Sequence, residues 1–256
     1  MPEEKITQID QGSMKRVLGV KDLFAVGYGD LGSSIYYALG ITAMYALGAT
    51  PIALLLAGFV FACTALTYAE LSSVMHDAGG SATYSRKAFN DLISFIAGWG
   101  LLLDYIVTIA ISSYSVGPYF SYFVPALDHI AYKLSFTAIL IALIAFINFL
   151  GVRHSTRLSI ILTNITVITQ ITIIVIGFTT VFSLSDFLEH LVIGSGNATW
   201  SPTWSHFIKG VAMAMVAYTG IESMAQLSSE ARNPSKTVPR AIILSMILLQ
   251  VYLILS

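Results

Sequence analysis

The sequence predicts an all-α membrane protein whose helices cross the bilayer several times, and three observations support this. Apolar residues make up 56% of the 256 residues and charged residues only 11%, whereas a soluble domain carries about 25% charge. Apolar runs of about 20 residues, long enough to cross a bilayer, recur along the chain. Lys and Arg are concentrated in alternate loops between those runs, as expected for consecutive spans.

Six complete spans and the start of a seventh are expected from these runs. The six cover residues 22–47, 51–75, 92–123, 135–151, 158–183 and 206–229. The seventh begins near Ala241 and continues to Ser256, about 16 residues, which is too short to cross a bilayer. We therefore expect the chain to be truncated within its seventh helix.

The distribution of basic residues predicts the orientation. Eleven of the 13 Lys and Arg residues fall on one side if the spans alternate, and only Lys133 and Lys209 fall on the other. Because Lys and Arg accumulate on the cytoplasmic side, residues 1–21 are expected to form a cytoplasmic tail and 184–205 an extracellular loop. The expected location is the plasma or inner membrane, with the N-terminus inside.

Small and polar residues interrupt two of the spans near their centres. Residues 26–36 contain three glycines, two serines and an aspartate, and residues 217–223 contain a glycine, hydroxyl groups and a glutamate. Irregular backbone at membrane depth is tolerated only where it is buried in protein or lines a watery cavity. Both helices are therefore expected to be broken at a binding site for a transported solute.

A broken helix leaves backbone N–H and C=O groups without partners. Free N–H groups at Gly32 to Ser34 would attract an anionic group such as a carboxylate, and free carbonyl groups would attract a cation. Such a site suits a zwitterion, a cation, or both. The candidate substrate-binding residues at and beside the breaks are Gly32, Ser33, Ser34, Tyr37, Tyr218, Thr219 and Gly220.

Acidic residues within the apolar spans are a second candidate feature. Asp30, Asp104 and Glu222 lie deep in their spans, where no Lys, Arg or His is available to neutralise them, and Glu70 lies near the end of its span. A charge inside the membrane costs about 3 kcal/mol or more, so an unpaired acid is a functional candidate. For Glu70, so close to the span end, contact with water or a loop is the favoured interpretation.

Two hydroxyl groups extend this acidic set. Asp104, Thr108 and Ser112 are four residues apart, so they share one face of a helix. Oxygen ligands suit a hard cation, and a buried carboxyl group can carry a proton. The two hydroxyls can instead bond to carbonyls of their own helix. The candidate cation- or proton-binding residues are Asp30, Asp104, Thr108, Ser112 and Glu222.

Several motifs resemble the amino acid–polyamine–organocation (APC) superfamily of transporters. Residues 32–36, Gly-Ser-Ser-Ile-Tyr, are similar to its first-span pattern, and residues 68–71, Tyr-Ala-Glu-Leu, to its second span. Residues 218–222 and 230–242 resemble its sixth span and the loop that follows. The resemblance implies the LeuT-like fold, a 5+5 inverted repeat with broken helices 1 and 6.

On that resemblance, residues 22–183 would form the first five-helix repeat and 206–256 the start of the second. The site residues also resemble potassium symporters of the KimA and Kup types. Tyr28-Gly29-Asp30-Leu31-Gly32 is similar to the Kup-type first-span motif, while Asp104 and Glu222 match acidic positions of the KimA type. Most APC members carry amino acids or amines, so the resemblance leaves two substrate classes open.

The expected function is secondary active uptake of a small polar solute, an amino acid or amine, coupled to a cation or a proton. The alternatives are potassium–proton symport and a non-transporting membrane sensor on the same fold. An enzyme is not expected, since the five histidines lie in or beside loops without metal-ligand spacing. No metal site, cofactor or nucleic-acid partner is expected beyond a coupling ion, H⁺, Na⁺ or K⁺. The expected partners are the substrate and the lipid bilayer, and a homodimer is left open.

Overall fold

The computed structural model describes residues 16–150, 152–180, 182–195 and 198–255, with only the backbone described for 152–154. Residues 1–15 of the expected cytoplasmic tail lie outside the described part of the chain. The described residues form ten α-helices connected by turns and short 3₁₀ segments. These are α1 Val20–Ala46, α2 Thr50–Val74, α3 Ser81–Ala88, α4 Asp91–Ser121, α5 Ile130–Phe149, α6 Val152–Thr180, α7 Leu184–His190, α8 Trp204–Ala214, α9 Glu222–Gln226 and α10 Pro234–Leu255.

The prediction of an all-α polytopic membrane protein is confirmed. Among the described residues, five helical segments are long and apolar enough to cross a membrane: Val20–Val74, Asp91–Ser121, Ile130–Phe149, Ser155–Thr180 and Pro234–Leu255. The first of them contains both α1 and α2, which are joined by the short 3₁₀ turn Leu47–Ala49. The expected sixth span is divided between α8 and α9.

The seventh helix differs from its prediction. It begins at Pro234 rather than near Ala241, and its 22 residues are sufficient to span a bilayer. Proline is favoured in the first turn because its fixed φ suits a helix and its missing N–H would have no helical partner there. The backbone carbonyl of Asn233 accepts hydrogen bonds from Lys236 and Thr237 at 3.0 and 2.8 Å, which start the helix. The expectation that this helix is too short was therefore wrong.

The first helix also differs, because α1 is continuous from Val20 to Ala46. Its central glycines are positions of close helix contact. A Cβ atom on Gly27 would collide with the Met224 side chain, and one on Gly29 or Gly32 would lie 3.2 or 3.4 Å from α6 side chains. Small residues let membrane helices approach closely, so the glycines that suggested a break instead allow α1 to pack in the middle of the bundle.

The core lies between α1, α2, α10 and the two halves of the sixth span. Its fully buried side chains include Leu31 and Ile35 of α1, Leu54 of α2, Met224 of α9 and Leu249 of α10. Helices α4, α5 and α6 lie beside this core, and the rest of the chain leaves most of their side-chain surface uncovered. The polar side chains of α1 face more than one neighbour: Tyr28 donates a hydrogen bond to Gln170 of α6, and the Ser34 hydroxyl lies 3.3 Å from that of Thr219 in the sixth span.

Candidate functional site

A break in the sixth span is the centre of the candidate site. Helix α8 ends at Ala214, a 3₁₀ turn covers Met215–Tyr218, and α9 begins only at Glu222. Thr219 between them is extended, and Gly220 has φ +113°, which L side chains rarely adopt. The hydroxyl groups of Thr219 and Ser223 donate to the carbonyl oxygens of Val216 and Gly220 at 3.1 and 2.6 Å. The predicted break of this helix is confirmed.

Asp30 of α1 lies directly against this break. A Cβ atom on Gly220 would be 2.7 Å from Cγ of Asp30 and 2.8 Å from its Oδ2. The carboxylate therefore occupies the space that a side chain at position 220 would need. The glycine is thus required both for its backbone conformation and for its contact with the acid.

The three deep acids form one electrostatic cluster. The negative charges of Glu222 and Asp104 both repel that of Asp30, and the charge of Asp104 also repels that of Glu222. Glu222 is the first residue of α9, and the backbone amides of Gly220 and Glu222 face its carboxylate. In the part of the chain that the structure describes, the ion pairs are Arg86–Asp91 and Lys87–Asp77, both outside this cluster.

A cavity of about 420 Å³ opens between α2, α4 and the broken span. Asp104 and Glu222 supply its acidic wall, and Thr219 adds a hydroxyl group. The rest of the lining includes the apolar side chains of Phe61, Leu101, Met215, Val216 and Ile221. The cavity therefore offers both acidic groups for a positive charge and apolar side chains for a carbon skeleton.

Hydroxyl groups connect α1 to the break. Tyr37 donates to Ser34 Oγ at 2.9 Å, and Ser34 Oγ lies 3.3 Å from Thr219 Oγ1. A second cavity, of about 330 Å³, is lined in part by Ser33, Tyr37 and Ser112. The Ser112 hydroxyl is buried without a hydrogen-bond partner among the described residues. It can therefore accept or donate a hydrogen bond to a group that enters this cavity.

The expected main-chain cradle at Gly32 to Ser34 is not formed, since these residues belong to the continuous helix α1. Gly32 faces Thr166 of α6, and the Ser33 hydroxyl donates to the Asp30 carbonyl at 2.8 Å. Thr108 lies between Asp104 and Ser112 on α4, one turn from each. The structure thus groups Asp30, Asp104, Glu222 and Thr219 around one break, while the roles assigned to all the candidate residues stay predictions.

The sequence profile of the amino acid permease family matches residues 18–256. The chain belongs to the amino acid permease family. This confirms membership of the APC superfamily, and the matching family is one of permeases. The resemblance to KimA-type and Kup-type potassium symporters has no support from this match.

Curated relatives agree with the family. The branched-chain amino acid permease BcaP of Lactococcus lactis subsp. cremoris (strain MG1363) is 33% identical over 219 residues, 77% of this chain and 44% of the relative. BcaP of Bacillus subtilis (strain 168) is 26% identical over 256 residues, 92% and 52% of the two chains. The methylthioribose transporter of the same strain is 29% identical over 213 residues, 75% and 42%. The chain spans about half the length of these relatives.

Two tyrosines beside the candidate site were not among the predicted site residues. Tyr105 is electrostatically coupled to Glu222 and Asp30, and Tyr68 lines the larger cavity. Aromatic residues are frequent in this sequence and most often indicate packing or interface belts. In the sequence, the only hint that Tyr105 belongs to the site is its position immediately after Asp104. That position does not show whether the ring points toward the acids.

Tyr218 has a structural contact that limits its role in substrate binding. Its hydroxyl donates to the Leu54 carbonyl of α2 at 2.9 Å, and its ring lies 5.1 Å from that of Phe61. We expect Tyr218→Phe to lower the free energy of unfolding by about 1 kcal/mol, the usual value of one hydrogen bond, with KM within about twofold of wild type. Thermal unfolding in detergent and initial uptake rates measure the two effects. A large rise in KM at unchanged stability would show that the hydroxyl binds substrate.

Proposed function

We propose that this permease is a secondary active transporter that takes up an amino acid or an amine by binding its ammonium group among Asp30, Asp104 and Glu222. The observation that carries the proposal is the acidic cavity at the break of the sixth span. Asp104 and Glu222 line this cavity, and their negative charges repel that of Asp30 beside the break. A charge at membrane depth is costly without a partner. A substrate ammonium group would supply that partner.

The size and walls of the cavity support a small amphiphilic substrate. Its volume of about 420 Å³ is near the lower end of the range of about 300–1,000 Å³ for ligand pockets. The apolar side chains of the lining would contact the carbon skeleton of the substrate, while Thr219 would orient its polar end. Two relatives are named as branched-chain amino acid permeases, which fits apolar side chains in the lining.

The unbroken first helix favours recognition through the amino group. The N–H groups expected to bind a substrate carboxylate belong to the continuous helix α1, and the start of α9 faces the carboxylate of Glu222. A substrate carboxylate near Glu222 would be repelled unless Glu222 were protonated. Coupling to protons would remove this repulsion, and we assign that exchange of protons to Glu222 and Asp30.

The basic end of the bundle is proposed to face the cytoplasm. The backbone N–H groups of Val17 and Leu18 donate to the Glu230 carbonyl at 2.9 and 3.0 Å. This contact joins the basic segments before α1 and before α10 at one end of the bundle. The backbone N–H of Gly48, after α1, donates to the Trp200 carbonyl at 3.0 Å, so Trp200 lies at the opposite end. Because positive residues accumulate inside, the N-terminus would be cytoplasmic in the cell membrane.

Potassium symport is the second candidate, favoured by the oxygen-only chemistry of the cluster. Carboxylates and hydroxyls such as Ser112 suit a hard cation without any ammonium group. The two candidates differ in the transported species, so direct uptake measurements distinguish them.

The decisive experiment expresses the full-length gene in cells that lack their own potassium uptake systems. Uptake of labelled neutral, acidic and basic amino acids, of amines and of rubidium is measured in parallel. We expect uptake of an amino acid or amine, faster at an acidic external pH, and no rubidium uptake above the empty-vector control. Rubidium uptake that disappears in Asp30→Asn and Asp104→Asn would overturn the proposal and assign potassium symport.

A further inference from the structure

A separate cavity of about 270 Å³ lies at the basic end of the permease. It is formed by the segment before α1, the second turn of α6 and the connection that leads to α10. Its lining includes Thr156, Arg157 and Ile160 of α6, Arg232 of the connection and Asp22 of α1. Three parts of the chain that are distant in sequence therefore meet around one small basic cavity.

The two arginines of this cavity retain free hydrogen-bonding capacity. Arg232 donates from Nε to the Val17 carbonyl at 3.1 Å, which leaves its terminal nitrogens available. Both side chains are exposed, and neither belongs to an ion pair within the described ranges. Two guanidinium groups in one cavity repel each other, and an anion between them would reduce that repulsion.

Asp22, the acid of the same cavity, is already engaged. Its Oδ2 accepts a hydrogen bond from the backbone N–H of Gly19 at 2.8 Å, which caps the start of α1. Thr156 is almost fully buried and supplies a hydroxyl group to the cavity. The lining therefore offers two guanidinium groups and a hydroxyl group to a ligand. Its one carboxylate already accepts a hydrogen bond from the backbone at the start of α1.

We propose that this cavity binds a phosphate group, supplied by an anionic phospholipid headgroup or by free phosphate, between Arg157 and Arg232. Arginine binds phosphate oxygens in a bidentate manner, and basic pockets between membrane helices at the cytoplasmic side bind lipid headgroups. Ile160 adds an apolar side chain to the lining. A bound phosphate would connect α6 to the segment that precedes α10 and hold the contact between Val17 and Arg232.

The test uses the purified full-length protein after delipidation. Binding of phosphatidylglycerol is measured by native mass spectrometry and by the rise in thermal unfolding temperature, with phosphatidylcholine as the neutral lipid. A parallel series uses inorganic phosphate. Arg157→Gln is the main variant, because the exposed Arg157 side chain makes no hydrogen bond among the described contacts. Arg240→Gln, an exposed arginine of α10 outside the cavity lining, is the matched control.

We expect Arg157→Gln to weaken phosphatidylglycerol binding about tenfold, the loss of one charge-assisted contact, and Arg240→Gln to leave it within about twofold of wild type. Asp22→Asn keeps an oxygen for the cap but removes the negative charge, so it is expected to strengthen binding. Arginine-dependent binding of phosphate without lipid binding would assign free phosphate as the ligand. Equal binding by Arg157→Gln and Arg240→Gln in both series would overturn the proposal.

Discussion

Asp30→Asn is expected to abolish concentrative uptake while the permease still folds and reaches the membrane. Asparagine has nearly the same shape as aspartate, so the contact with Gly220 is retained. What is lost is the negative charge and the ability to exchange a proton. Asp30 lies against the break and interacts with both other acids of the cluster, so its charge affects the whole cavity.

The size of this effect follows from the value of a charged contact. Loss of a hydrogen bond to a charged group costs about 1.5–3 kcal/mol, which is roughly a 10- to 150-fold change in affinity. If Asp30 also carries the coupled proton, the loss of coupling adds to the loss of binding. We therefore expect uptake to fall at least tenfold and, with coupling lost, to background.

Counterflow separates these two roles. Exchange of labelled for unlabelled substrate across proteoliposomes requires binding but no net proton movement. A variant that retains counterflow but loses uptake driven by a pH gradient has lost coupling, whereas loss of both indicates lost substrate binding. Glu70→Gln is the matched control, since Glu70 is an exposed acid of α2 outside the cluster. Near-normal driven uptake by Asp30→Asn would refute the role of Asp30.

The helices were predictable from the sequence because a membrane imposes a simple length requirement. About 20 apolar residues are needed to span it, and the third predicted span, 92–123, differs little from α4, Asp91–Ser121. The start of α10 was missed because its first turn is polar. Hydrophobicity cannot show that Pro234 begins the helix, whereas the hydrogen bonds to the Asn233 carbonyl can.

The broken helices show where sequence patterns are ambiguous. Gly220 and Gly27 both lie in apolar spans, yet Gly220 has φ +113° at a break and Gly27 lies within a continuous helix against Met224. A glycine in a span permits either irregular backbone or close packing, and the neighbour that decides between them lies far away in sequence. The functional candidacy of Asp30 was predictable from its missing counter-charge, but its contact with Gly220 was not.

Gly220→Ala is expected to remove transport and to destabilise the protein. The φ of +113° is strained for any L side chain, at a cost of about 1–3 kcal/mol. The new Cβ atom would also lie 2.7 Å from Asp30 Cγ, so the carboxylate must move out of its position against the break. Uptake should fall at least about tenfold through the displaced acid, and the thermal unfolding temperature in detergent should decrease.

Gly40→Ala provides the matched control within α1. A Cβ atom on Gly40 meets nothing within 4 Å, and alanine is favoured over glycine inside a helix by about 0.5–1 kcal/mol. This variant should therefore transport normally and unfold at the same or a higher temperature. Wild-type uptake by Gly220→Ala would show that neither the backbone conformation of the break nor its contact with Asp30 is needed for transport.

A double-mutant cycle separates the strain at position 220 from the collision with the acid. Asp30→Ala removes the carboxylate, so it relieves the collision but leaves the backbone strain of Gly220→Ala unchanged. We expect the destabilisation by Gly220→Ala to be smaller in the Asp30→Ala background, with a coupling energy of about 0.5–3 kcal/mol. Additive effects would assign the whole destabilisation to backbone strain, and the carboxylate would then have room to move away from the break.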